Sequence, residues 1–439
     1  MSGIDIIGAF ESTYLPGHDT DIFESTAHNV HWKQDLELLR HCGVTRLRYP
    51  VRWHRVEAEE GVFNWQDTDT VLHYLRDNGF RPIVDLVHHT SYPRWLTGGF
   101  ADPRFQPAYR RYTQEFARRY PWVKEYTLFN EPFSTLFLTG HEGIWPPYQS
   151  GLDSFVGQIL NVLPAVAEAS RAFAELLPGA KHVWVDTCEH HTGAGASGSA
   201  YARMANERRF LVLDSFLGKG YDPNGPMAGL LREAGGEALQ DLEPGRVDVL
   251  GLDYYAHCQW HFDDQGGSPN TPFPLPLAQQ IALYWDRYRL PCLISETNVR
   301  GSTSDRATWF KYVLEQCERA QAMGIPLEGL CWFPVIDSTD WDTLLYRNDG
   351  HIDPVGVFWL DDELSRRPSV MSEAYAKAAA HRPSAELAAY SLGEPVATWL
   401  RGYESQMSHW SWTPAPHADQ GNSLPRTETR MELRIVNAE

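Results

Sequence analysis

Tyr126-Thr127-Leu128-Phe129-Asn130-Glu131-Pro132 and Cys292-Leu293-Ile294-Ser295-Glu296-Thr297 are built alike. Each is a short apolar run that reads as a buried parallel strand, and each stops abruptly at an acidic tip. A strand covered on both faces is apolar almost throughout, so the change of character marks its end. In a parallel α/β barrel the chemistry sits at the C-terminal ends of the strands. The two runs therefore predict glutamates delivered to one face by different strands.

The rest of the chain alternates strand-like and helix-like patterns, the signature of a parallel sheet with crossover helices. Strands are expected over residues 4–10, 44–53, 82–88, 123–130, 182–187, 247–255, 292–295 and 327–334. Helices are expected over 32–42, 68–78, 107–120, 154–177, 201–217, 277–288, 305–323 and 371–380. Such a series exceeds the needs of a doubly wound sheet and fits a (β/α)8 TIM barrel with long βα loops. Residues 1–381 are read as the catalytic barrel. Residues 382–439 are read as a C-terminal extension packed on it, too short to bury a core alone. That extension holds the Trp-rich patch 409–414, and Met431 to Val436 alternates like a short strand.

Composition narrows the class. The 439 residues are 43% hydrophobic and 22% charged, as in a globular domain with one large core. A net charge of −19 argues against nucleic acid or an anionic membrane as partner. The 16 Trp and 20 Tyr serve a core or a sugar-binding site equally well. Six widely spaced cysteines without C-x-x-C read as free thiols, which suits a reducing compartment. Neither a signal peptide nor a span of ~20 apolar residues is visible, so a cytoplasmic location is expected.

Two strand-end glutamates are what cleavage of a glycosidic bond needs. A retaining enzyme sets an acid and a nucleophile about 5–5.5 Å apart. Glu131 is the acid/base candidate and Glu296 the nucleophile. Asn130 could donate to a sugar 2-hydroxyl. Arg48 could supply positive charge beneath Glu296, and Tyr255 could donate its hydroxyl to it. Taken alone, Asn130-Glu131-Pro132 would read as a helix start, with Asn as cap and Pro in the first turn.

Other motifs carry less. His190 and His191, near Cys188 and Glu189, are adjacent rather than at the i, i+4 spacing of a helical metal pair. His257 and His261 have that spacing but follow a strand. Gly193, Gly195 and Gly198 lack the strand–helix framing of a phosphate loop, and no G-x-S-x-G is present. No metal and no cofactor are expected.

These residues resemble glycoside hydrolase family 1, the β-glucosidase-type retaining enzymes. Thr127 to Pro132 is similar to its Thr-x-Asn-Glu-Pro motif with one residue inserted. Gly140 to Pro147 resembles the loop that follows. Ile294-Ser295-Glu296-Thr297-Asn298 is similar to its Thr-Glu-Asn-Gly nucleophile motif. Arg48, Trp53 and Arg55 match its second strand. Leu86-Val87-His88-His89 with Pro93 to Leu96 resembles its His-Trp-Asp-x-Pro-x-Trp-Leu segment. Asp248 to Tyr255 is similar to Asp-Phe-x-Gly-x-Asn-Tyr-Tyr, with Asp253 for Asn. Trp332, Asp337, Asp340 and Trp341 resemble Trp-Ser-x-x-Asp-Asn-x-Glu-Trp, with the first Trp one residue further away and Asp340 for Glu.

The resemblance implies a retaining exo-β-glycosidase that uses Glu131 and Glu296 and takes a small glycoside or oligosaccharide. It implies sugar contacts from His88, Trp332, Asp340 and Trp341. The family's first-strand Gln is not evident, and Glu11 is offered instead. Two alternatives stay open. One is a barrel that binds sugar without turnover. The other is a related retaining enzyme with endo or transglycosylase activity. Glycone, aglycone and oligomeric state are not read from the sequence.

Overall fold

The computed structural model describes residues 3–269 and 271–416. Eight parallel strands form a closed barrel: β1 (Asp5–Ala9), β2 (Arg46–Pro50), β3 (Arg81–Asp85), β4 (Glu125–Thr127), β5 (Lys181–Thr187), β6 (Val249–Asp253), β7 (Cys292–Glu296) and β8 (Leu327–Cys331). Neighbours follow chain order, and β8 returns to β1 with Asp5 opposite Gly329. The main helices outside are α1 (His28–His41), α2 (Gln66–Asp77), α3 (Phe105–Arg119), α4 (Leu152–Leu176), α5 (Gly195–Phe216), α6 (Leu277–Tyr288), α7 (Thr303–Ala322) and α8 (Val370–Ala379). This is the expected (β/α)8 architecture.

The strands are shorter than their apolar runs. Leu86 and Val87 are fully buried yet lie beyond the last residue of β3. Apolarity reports burial, and the residues leaving a barrel strand stay buried under the loops. At β4 the ladder breaks after Thr127. Leu128 and Phe129 are both buried, and the backbone rejoins at Asn130, whose N–H donates to Val87 O at 2.8 Å.

Inside the barrel, Ile7, Ala9, Ile83, Val183, Val185, Val249, Leu293 and Cys331 form one cluster, with Phe333 on its loop side. A larger apolar layer lies between strands and helices. Each fully buried aliphatic side chain there is worth ~1.5–3 kcal/mol. Arg46 closes the opposite end through Glu125, at 3.0 and 2.6 Å.

Residues 382–416 share that layer. Val396, Leu400, Tyr403 and Met407 belong to the same buried cluster as the barrel residues. The Tyr254 hydroxyl donates to that of Tyr403 at 3.0 Å. The strand expected near residues 431–436 lies outside the described residues. No described helix is long and apolar enough to cross a membrane, and the six cysteines are free and buried.

The loop after β8 hangs on one fully buried ion pair, Arg306 to Asp337 at 2.9 Å. Asp337 also accepts the N–H groups of Gly356 and Leu360, at 2.7 and 3.0 Å. Arg306→Met should cost ~3–5 kcal/mol, because it strands a buried carboxylate. A denaturation midpoint equal to wild type would contradict that. Ending the chain at His381 should lower the thermal midpoint by uncovering Tyr254 and Trp309; an unchanged midpoint would show the extension to be dispensable.

Candidate active site

Three of the strands end on acids, Asp85 in β3, Asp253 in β6 and Glu296 in β7, and Asp186 is the penultimate residue of β5. Arg48, from β2, organises them. Its Nη1 donates to Glu296 Oε1 at 2.6 Å and to Ser295 O at 3.2 Å. Its Nη2 donates to Asp85 Oδ2 at 3.2 Å and to Asn130 Oδ1. The guanidinium also lies 5.7 Å from the Phe333 ring centre. On the other oxygen of Glu296, the Tyr255 hydroxyl donates at 2.8 Å. The Asn130 NH2 group, held in place through its oxygen, finds no acceptor among the described residues.

Glu131 is held differently. Its backbone is left-handed, with φ 43° and ψ 62°, a conformation costly for a non-glycine residue. Tertiary bonds impose it: Glu131 N–H donates to Val185 O at 3.0 Å, and Thr135 N–H donates to Glu131 O at 2.8 Å. Pro132 does open a short helix, Pro132–Leu136, as the capping reading expected. Asn130 is not the cap, however. The Phe133 N–H is satisfied by Asp186 Oδ2 at 2.9 Å.

Glu131, Asp253 and Glu296 each offer an oxygen within 4.8 Å of the others. Burial raises all three carboxyls, but not equally. Arg48, His88 and Tyr255 oppose the rise at Glu296. Glu131 faces no cation. Burial, Asp253, Glu296 and Asp186 together push it well above the usual carboxylate range. Both carboxyls are raised, Glu131 further than Glu296, so Glu131 holds its proton to the higher pH and Glu296 ionises first, the order an acid–nucleophile pair requires. Among the described residues this is also the one carboxyl group set close enough to share a metal ion. Hard oxygen-seeking cations would suit it, although Arg48 already supplies the positive charge.

Below the pair, Glu11 and His88 are joined. Glu11 Oε1 accepts the N–H groups of Ser12 and Thr13, at 2.8 and 2.7 Å, and lies 3.4 Å from His88 Nε2. His88 Nδ1 meets Asp85 Oδ2 at 2.9 Å. Burial opposes the histidine charge, yet Glu11 and Asp85 push its pKa up to about 10. Burial likewise opposes the Glu11 charge, and His88 overrules it, holding the carboxyl at about 2.

Two expected contacts are corrected. Trp332 is fully buried outside the barrel, its indole N–H donating to Val355 O at 2.9 Å and its ring 5.9 Å from Phe310. Phe333 faces the site instead, 5.6 Å from the His88 ring. Starting the motif at Phe333 also restores the family spacing to Asp337, Asp340 and Trp341. Asp340 serves its own loop: it accepts from Arg347 Nε at 2.9 Å, Gly350 N–H at 2.9 Å and His351 N–H at 3.2 Å. Trp341 lies at the site, 5.7 Å from the His89 ring, with its indole N–H unpartnered. His89 Nε2 in turn lies 3.8 Å from Glu131. Asp85, Asp186, His89 and Phe333 were not singled out beforehand. An acid within or closing an apolar run is the available signal for the first two: Asp85 interrupts Ile83 to Val87, and Asp186 follows Val185.

His190–Gly193 forms a small sheet with Gln259–Asp263 and Gly266–Ser268 at the barrel mouth. Gly198 lets α5 pass it: a Cβ there would sit 2.4 Å from Phe262 O.

Residues 10–272 match the sequence profile of Glycosyl hydrolase family 1. The chain belongs to that family. Beta-glucosidase A of Thermotoga maritima is 21% identical over 379 residues, covering 77% of this chain and 83% of its own. A beta-glucosidase of Agrobacterium sp. is 22% identical over 382 residues, covering 74% and 80%. The Thermotoga maritima beta-glucosidase solved with deoxynojirimycin superimposes with a TM-score of 0.73 at 18% identity, covering 87% of this chain and 98% of that one. This family 1 protein is therefore a glycoside hydrolase.

The buried charges of this hydrolase make its stability depend on pH. The His88 pKa is raised on folding, so its contribution is complete below its ordinary value of 6.5 and is lost as pH rises through about 10. The Glu11 pKa is depressed, so its contribution holds above 4.5 and is lost as pH falls through about 2. Thermal midpoints followed from pH 6.5 to 10 should fall for wild type and flatten for His88→Asn. Parallel curves would mean that the histidine is uncharged.

Proposed function

We propose that the enzyme is a retaining exo-β-glycosidase acting by double displacement. The observation that carries this is the Glu131–Glu296 pair: oxygens within 4.8 Å, with cation and hydroxyl support at Glu296 alone and the stronger upward shift at Glu131. A larger gap of about 6.5–9.5 Å would leave room for the water of an inverting enzyme. Glu296, oriented by Arg48 and Tyr255, attacks the anomeric carbon. Glu131, kept protonated, gives its proton to the leaving oxygen. It then takes a proton from the water, or from the alcohol, that releases the sugar from Glu296. Asn130 donates its free NH2 to the sugar 2-hydroxyl, a contact that strengthens in the transition state.

The loops support a pocket rather than an open groove, and hence exo action. Trp145 Nε1, after β4, donates to Leu344 O, after β8, at 2.9 Å. Asn348 donates to His18 O, after β1, at 3.0 Å. Between those loops lies a half-open depression of ≈ 300 Å3 lined by Leu15, Ile144, Tyr148, Leu345 and Tyr346. No cofactor enters the reaction, and the six buried free thiols fit a reducing compartment.

A panel of nitrophenyl β-glycosides tests the reading and identifies the glycone. Glu296→Ala should lower turnover at least ~10⁴-fold. Glu131→Ala should cost ~10²–10⁴-fold on an alkyl glycoside and less on a nitrophenyl one, whose leaving group needs little protonation. Near-wild-type turnover by Glu296→Ala would sink the assignment. Calorimetric binding of intact glycoside without product would point to a binding protein.

A further inference from the structure

Family 1 places Asn at the end of the sixth strand in the motif matched by Asp248 to Tyr255, and this chain has Asp253. The substitution puts a third carboxyl between the acid/base and the nucleophile. Asp253 is fully buried. Its Oδ1 accepts the Ser295 hydroxyl at 2.5 Å, and its Oδ2 has no donor. Its neighbours come from several elements: Ser295 and Glu296 on β7, Arg48 on β2, Asp186 on β5, Glu131 after β4 and Tyr255 on its own loop. The thiols of Cys188 and Cys331 complete the surroundings. Arg48 is the cation among these groups, and it is committed to Glu296, Asp85 and Asn130.

Oxygens of Asp253 and Glu131 lie within 4.8 Å of each other, and two carboxyls so close in a buried space are reconciled by a proton between them, since each ionised oxygen is solely an acceptor. We propose that Asp253 shares one proton with Glu131 and thereby sets the upper pH at which Glu131 can still act as an acid. Asp253 is a positioning residue here, acting through Glu131 without touching the sugar. The inference rests on the role given to Glu131 above. The direction follows from charge. As pH rises, the pair loses its first proton and becomes an anion, and that charge makes Glu131 hold the remaining proton more tightly. An amide at position 253 removes the charge and can donate to the Glu131 carboxylate, so Glu131 then ionises at lower pH.

The test is the pH dependence of kcat/KM on a β-glycoside with an unactivated alcohol leaving group. Wild type is compared with Asp253→Asn and with Ser295→Ala, which keeps the carboxyl but removes its hydrogen bond. The alkaline limb should move down by about one pH unit or more in Asp253→Asn and stay within a few tenths of a unit in Ser295→Ala. Infrared titration of the carboxylic-acid band reads the same proton without turnover. The band should disappear at lower pH in both Asp253→Asn and Glu131→Gln than in wild type. A purely structural Asp253 would lower kcat/KM evenly across pH and leave limb and band in place, and that result overturns the proposal. Should Glu296→Ala retain turnover, the glycosidase reading fails, while the infrared titration still decides whether the two carboxyls share a proton.

Discussion

A buried guanidinium holds this site together. Arg48 sits where water is excluded, and an unpaired charge there would be prohibitive. It is tolerated because Glu296, Asp85 and Asn130 all turn towards it. The pairing continues outward, since Asp85 also takes His88 and His88 meets Glu11. The result is a row of alternating charge, Glu11, His88, Asp85, Arg48 and Glu296, gathered from β3, β2, β7 and the loops after β1 and β3. Every anion in that row has a cation beside it. Glu131 and Asp253 fall outside it: Arg48 eases the charge on Asp253 only from a distance, without a hydrogen bond, and burial and neighbouring acids prevail at both. Their reluctance to ionise follows from the same pairing that lets Glu296 ionise first.

The backbone at Glu131 belongs to the same logic. A left-handed residue at the mouth of β4 costs roughly 1–3 kcal/mol, and the surrounding structure has to enforce it. Val185 O takes the Glu131 N–H, and Asp186 takes the first free N–H of the helix that follows. The fifth strand therefore aims the acid delivered by the fourth. A change in β5 could disturb the chemistry without touching a reacting group, in line with the precision that aligned acid catalysis demands.

The fold was legible because periodicity and burial are local properties of the chain. Eight apolar runs separated by amphipathic stretches leave little choice of architecture, and the strand-end glutamates stood out for being acidic at a buried boundary. Boundaries were less legible. Leu86, Val87, Leu128 and Phe129 stay buried after the ladder ends, so apolarity overstates strand length. The partners of Arg48 could be guessed because a strand-borne arginine needs carboxylates. The orientation of Trp332 could not. Of two adjacent aromatic residues leaving β8, one faces the helices and the other faces the site, and composition does not say which. Asp340 was misjudged for a related reason. Its short side chain meets Arg347 and two backbone N–H groups of its own loop, a set of contacts that no motif encodes.

The residues around Glu131 and Glu296 and those further out along the loops are held in different ways. Glu131, Glu296, Arg48, Asn130 and Tyr255 form a mutually hydrogen-bonded or closely packed set, so a change in any one strands the others in a buried site. The residues that the family motif would assign to the sugar are held differently, by the loops that carry them. Here Glu11 is tied up by His88 and by the N–H groups of Ser12 and Thr13, and Asp340 is tied up by its loop. The buried donors left without a hydrogen-bond partner at the site include the Asn130 NH2, the Trp341 indole N–H and Arg48 Nε. The two acids that the family motif points to therefore already have partners within the protein, while donors beside them remain uncommitted.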